Sequence, residues 1–117
     1  MPEIEVVNDG AHVVIKFKDT QIMDETYARQ IGMKLIEIAD SSGKRDIVLN
    51  FKRVQFMASS MIGQLVLLRN KCKEIGCKLS VCCLSPELSE AICLMNLDKI
   101  IDIFECERSA KAASNEV

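Results

Sequence analysis

The stretch from Val54 to Leu68, which carries no charge between Arg53 and Arg69, constrains this chain more than any other feature. It follows a strand-like run, Asp46-Ile47-Val48-Leu49-Asn50-Phe51, and leads into a helix-like run reaching about Ile75. At the junction stand two hydroxyls, Ser59 and Ser60, with apolar side chains on both sides. A helix start exposes unpaired N–H groups and the positive end of the helix dipole, so it favours a serine oxygen or a phosphate there. One use of the pair is structural, a serine capping the helix. The other is functional, a hydroxyl presented at an anion-favouring position.

The remaining punctuation predicts alternating strands and helices. Ile4 to Val7 and Val13 to Phe17 flank Asn8-Asp9-Gly10 and read as a hairpin. In its second strand Val13, Ile15 and Phe17 share one face and His12, Val14 and Lys16 the other, which assigns His12 to the surface. Asp24 is the expected N-cap of a helix with the stripe Tyr27, Ile31, Leu35 and Ile38, ended by Ser41-Ser42-Gly43-Lys44 with the glycine as C-terminal cap. Ile47-Val48-Leu49 lacks alternation, as a central strand covered on both faces does. The second helix has the stripe Met61, Leu65, Leu68, Cys72 and Ile75. Ile62, Val66 and Leu67 make its first half apolar almost all round, so that half is either deeply buried or offered to a partner. Gly76 stops the helix; Leu79 to Cys83 alternates as a strand. Ser85-Pro86-Glu87 opens a third helix with a serine cap, a first-position proline and an early acid. Ile103-Phe104 is a short last strand, Ser109 to Ala113 a weak helix, and 114–117 a frayed tail. The sum is one α/β domain over 1–117, with a mostly parallel central sheet, an antiparallel N-terminal edge strand and about four helices.

Composition narrows the function. With net charge −2 and no basic cluster along the sequence, nucleic acid is not the expected partner. The N-terminus Met1-Pro2-Glu3-Ile4-Glu5 lacks the pattern of a signal peptide, and no apolar run approaches the ~18 residues that span a bilayer. A cytoplasmic protein with no membrane association is expected. The six cysteines contain no Cys-x-x-Cys pair and the single His12 is remote, so no metal or other cofactor is called for. Free, buried thiols are expected instead. Catalysis lacks its inventory: there is no Gly-x-Ser-x-Gly elbow, no glycine-rich phosphate loop and no base near Ser59 in sequence. The chain does not read as an enzyme.

Val54-Gln55-Phe56-Met57-Ala58-Ser59-Ser60-Met61-Ile62-Gly63-Gln64-Leu65 resembles the phosphorylation loop of STAS domains of the anti-sigma factor antagonist type, where apolar-Met-Asp-Ser-Ser-Gly-apolar-Gly is usual. Gln21-Ile22-Met23-Asp24 with Tyr27 to Ile31 is similar to that family's entry to its first helix. Ile75 to Val81, Leu84 to Leu88 and Met95 to Phe104 follow in the family's order and spacing, so the resemblance covers nearly the whole chain. Ala58 replaces the usual aspartate and Met61 the usual glycine. The resemblance implies a non-catalytic phospho-switch. The unphosphorylated domain docks on an anti-sigma factor that is also a serine protein kinase, and phosphorylation ends the docking. It places the modified hydroxyl at Ser59 rather than Ser60, and the partner surface at Asp24, Met57, Ala58, Ser59, Met61 and Ile62. Ser60 is then left to turn inward and cap the helix. A second reading stays open: a STAS scaffold that is not phosphorylated and uses the apolar loop for constant contact with a partner or a second copy of itself. Asp24 and Ser59 are expected at one edge of the sheet, since both follow strands at helix starts.

Overall fold

A computed structural model describes residues 3–114. Strands β1 (Ile4–Asp9) and β2 (His12–Phe17) form the expected antiparallel hairpin, with Asp9 paired to His12. The turn is one step later than the sequence suggested: it is Gly10-Ala11, with Gly10 at φ 60°, a backbone that glycine adopts without steric cost. A two-residue strand β3 (Gln21–Ile22) precedes helix α1 (Glu25–Asp40). Next come β4 (Asp46–Asn50), a two-residue β5 (Phe56–Met57) and helix α2 (Ser59–Ile75). The chain continues through β6 (Leu79–Cys82), α3 (Pro86–Leu94), a short 3-10 turn (Leu97–Lys99), β7 (Asp102–Phe104) and α4 (Glu107–Ser114).

The main sheet runs β1-β2-β4-β6-β7, antiparallel only at β1-β2 and parallel elsewhere. The expected α/β architecture with its antiparallel edge and four helices is therefore present. One face of the sheet packs on α1 and α2. There Ile15, Leu49 and Val81 meet Ile31 and Leu35 of α1 and Met61, Leu65 and Leu68 of α2, and Phe17 stacks on Phe51 with ring centroids 4.6 Å apart. The other face carries a smaller cluster, Val14, Val48 and Cys82, covered by Ala110 of α4. Because α4 covers this second face, β6 is buried at every position instead of alternating.

Three local expectations need correcting. His12 is buried, at 4% exposure, because β2 is an interior strand between β1 and β4, where His12 lies opposite Asp9 and Asp46. Gly43 is not the cap of α1: the helix ends at Ser41, whose Oγ reaches the Glu37 carbonyl at 3.0 Å, and Ser42 Oγ donates to the Ala39 carbonyl at 2.8 Å. The serines satisfy the last carbonyls, and Gly43 and Lys44 take the positive-φ turn beyond. All six cysteines are free thiols, but only Cys72, Cys77 and Cys82 are buried. Cys93 and Cys106 are exposed, the former on α3 and the latter just before α4, so they do not serve as core hydrophobes. Burial pushes the Cys72 and Cys82 thiols well above the ordinary range, which leaves them protonated and inert. Of the tail read as frayed, Ser114 closes α4 and 115–117 lie outside the described residues.

Candidate functional site

The site is assembled by a small sheet that the sequence did not announce. β3 and β5 pair in parallel, Gln21 with Phe56 and Ile22 with Met57. The Gln55 amide donates to the Thr20 carbonyl at 2.8 Å and the Ala58 amide to the Ile22 carbonyl at 2.9 Å. Two residues past the Ile22–Met57 pair the strands deliver Asp24 and Ser59, each at a helix start. The β3-β5 pairing thus brings these two residues to one edge. A third helix start joins them, since Ser85 Oγ lies 3.2 Å from the Gln55 carbonyl.

The three helix starts differ in how they are capped. At α1 the Asp24 carboxylate accepts from the Tyr27 amide at 3.2 Å. At α3 the Ser85 hydroxyl accepts from the Leu88 amide at 3.2 Å, with Pro86 at the first position, as the sequence indicated. At α2 the cap residue is Ala58, which has no side-chain oxygen to offer, and the first turn holds no acid. The Ala58 carbonyl takes the Met61 and Ile62 amides at 3.0 and 3.2 Å. The Ser59 and Ser60 amides have no acceptor among the described residues. The expectation that Ser60 caps α2 is corrected, because the serine lies inside the first turn, past the position from which a side chain folds back onto the amides. A helix of 17 residues therefore presents its positive end with no counter-charge of its own.

Around this end the polypeptide alternates. Ile22 points into the core and Met57 packs against it from partial burial, while Phe56 and Met23 point outward, at 44% and 56% exposure. Ser59 is exposed and Ser60 half-buried. Met61 is fully buried and Ile62 is 3% exposed, each in its own cluster of the core, so the residues that reach the surface here are Met23, Asp24, Phe56, Ala58 and Ser59, with part of Met57. The two outward apolar side chains, Met23 and Phe56, were missed in the sequence because a two-residue strand shows no periodicity to assign a face.

Behind the edge, α1 and α2 pack closely. A Cβ on Gly32 of α1 would stand 2.0 Å from Gln64 Oε1 of α2, so glycine leaves the groove in which the Gln64 side chain lies. Tyr27 ties α1 to the strands: its hydroxyl donates to Asp19 Oδ2 at 2.6 Å and accepts from the Glu3 amide at 2.9 Å. Burial and the Asp19 carboxylate raise its pKa, so it remains a donor over the whole neutral range. These fixed contacts make the edge a preformed surface. Among the described residues no group of three or more His, Cys, Asp or Glu is placed to hold a metal, and no helix is long and apolar enough to cross a membrane.

Residues 3–110 match the model of the STAS domain, and the chain belongs to that family. Solved structures share the fold. An anti-sigma-factor antagonist (STAS) domain protein from Planctomyces limnophilus superposes with a TM-score of 0.88 at 21% identity, covering 97% of this chain and 99% of that one. An anti-sigma factor antagonist from Mycobacterium paratuberculosis gives 0.84 at 18% identity, over 97% and 93%. The Bacillus cell fate determinant SpoIIAA in its phosphorylated form gives 0.70 at 17% identity, over 94% and 98%.

Proposed function

We propose that this STAS domain is an anti-sigma factor antagonist, a non-catalytic switch that docks through the β3/β5 edge and is released by phosphorylation of Ser59. The observation that carries the reading is the uncapped start of α2, where an exposed serine hydroxyl stands beside unpaired amides in a first turn that holds no acid. A phosphate on Ser59 brings about −1.5 to −2 charge and lies where the helix end favours it, so the fold need not change. For a docked partner the result is opposite. Met23, Phe56 and Ala58 give a largely apolar contact, and burying a dianion in it without a cationic partner costs several kcal/mol or more. That is comparable with the roughly 8 kcal/mol that holds a micromolar complex. The switch is electrostatic, not conformational.

Solved relatives that share the fold include SpoIIAA in a phosphorylated form, which fits the reading. The natural partner is an anti-sigma factor that is also the serine kinase for Ser59, with Asp24 lining the same contact. Ser59→Asp is expected to abolish binding to that partner and Ser59→Ala to preserve it. Wild-type affinity in Ser59→Asp would overturn the switch. One observation favours a second reading, an unmodified STAS scaffold: Ala58 offers no carboxylate beside Ser59, while Met23 and Phe56 give an apolar contact that needs no modification. In that case both variants bind alike.

A further inference from the structure

On the α4 side of the sheet, at the carboxyl ends of β2 and β4, lies a cavity of about 400 Å³ lined by Glu5, Lys16, Phe17, Lys18, Asn50, Lys52 and Arg53. That volume is within the ~300–1,000 Å³ of small-molecule sites. We infer that this cavity is a binding site for a small free oligophosphate, an anion carrying two or three linked phosphate groups. The inference is independent of what Ser59 does.

Parallel pairing builds the site. Lys16 of β2 stands opposite Asn50 of β4, Lys18 follows the end of β2, and Lys52 and Arg53 occupy the turn after β4 that the Val54 amide closes onto the Phe51 carbonyl at 3.0 Å. Phe17 and Phe51 take the opposite face and stack there, which fixes both strand ends. Lys52 is positioned further by its amide, which donates to Asn50 Oδ1 at 2.9 Å. Four cationic side chains from two adjacent segments thus surround one cavity, against the single carboxylate of Glu5. In a chain of net charge −2 this is a local reversal of sign, invisible in the sequence because the cations are 34 or more residues apart in two pairs. None of the four forms an ion pair among the described residues.

A second carboxylate, beside Asn50, is already committed. Glu107 of α4 accepts from Asn50 Nδ2 at 3.1 Å and pairs with Lys111 at 3.3 Å. Burial opposes its charge, but Asn50, Lys111 and Lys16 together hold its pKa below the ordinary carboxylate value. The cavity therefore has cations to spare, held at the end of β2 and in the turn after β4. Spread over two segments, they match a chain of linked phosphates better than a single one. The only aromatic ring in the lining, Phe17, is 2% exposed, so the site offers no platform for stacking a base.

The test is titration of the full-length protein with sodium tripolyphosphate, by calorimetry at low salt and by amide chemical shifts. Binding is expected at one site, with the largest shifts at Lys16, Lys18, Asn50 and Lys52. Orthophosphate should bind at least tenfold more weakly. Lys18→Gln with Lys52→Gln should weaken tripolyphosphate at least tenfold, and Lys73→Gln, on the far helix, by less than twofold. ATP should bind no more tightly than tripolyphosphate if the phosphate chain alone is read. Three results would overturn the inference: no binding at millimolar tripolyphosphate, shifts scattered over all surface lysines, or equal weakening by the Lys73 variant. Saturation by an acidic peptide but not by tripolyphosphate would assign the cavity to a protein partner instead. The shift map on wild-type protein decides the location even if the double variant fails to fold.

Discussion

The uncapped start of α2 gives a prediction whose size follows from its neighbours. Asp24 and Ser85 cap α1 and α3 with side-chain oxygens 3.2 Å from the amide three residues on, whereas Ala58 has none to give. Ala58 already holds the extended backbone of a cap, φ −73° and ψ 159°, close to the −67° and 160° of Ser85. Ala58→Asp should therefore gain a cap without moving the chain. A cap is worth about 1 kcal/mol, and a carboxylate at a helix N-terminus adds ~0.3–1 kcal/mol at low ionic strength. The expected gain is about 1–2 kcal/mol, or a rise in Tm of roughly 5 °C or somewhat more for a domain of this size. Urea unfolding should show the midpoint rising by about 0.5–1 M with an unchanged slope. Ala58→Ser isolates the hydrogen bond from the charge: it should gain the cap component alone. The advantage of Asp over Ser should shrink in 1 M salt, where the screening length is about 3 Å. A midpoint for Ala58→Asp at or below wild type, with unchanged slope, would refute the claim that α2 begins with amides in need of an anion.

Ser60→Ala should change stability by less than about 0.5 kcal/mol in the same unfolding assay, since that hydroxyl caps nothing. Asp24→Ala and Ser85→Ala should each cost about 1 kcal/mol, because both remove a working cap. Acid should loosen α4 first. Asp9, hydrogen-bonded to Lys111, and Glu107, where burial is outweighed by Asn50 and Lys111, both have pKa values below their ordinary 3.8 and 4.5. A lowered folded pKa gives stability that is complete above the ordinary value and lost as pH falls through the folded one. Hydrogen-exchange protection of α4 amides, relative to those of α1, should therefore fall below about pH 4 and stay level between about pH 6 and 8.

The fold was legible where side-chain chemistry acts locally. Asp24, Ser85 with Pro86, and Gly76 at φ 84° each end or begin a helix for reasons contained in a few residues. The core stripes of α1 and α2 were equally readable, because burial of one helical face imposes a period. What escaped depends on partners distant in the chain. His12 looks like a surface residue until β4, whose Asp46 lies opposite it, makes β2 an interior strand. β3 and β5 are two residues each, too short for alternation to show, yet their pairing sets which of Met23, Phe56, Met57 and Ser59 face outward. The start of α2 lies two residues earlier than a cap at Ser60 would put it: with Ala58 as the cap, Ser60 falls within the first turn. Met61 and Ile62, which the resemblance put on the partner surface, are buried, as the helical stripe that carries Met61 already indicated.

Phosphate localisation tests the account at its centre. The protein isolated from its own cells, or incubated with ATP and the proposed anti-sigma factor kinase, should show by intact mass a species carrying one phosphate, and fragmentation should place it on Ser59. The increment should vanish in Ser59→Ala and persist in Ser60→Ala. Phosphate found on Ser60, or no phosphate while the complex with the partner forms normally, would contradict the switch and leave the unmodified scaffold.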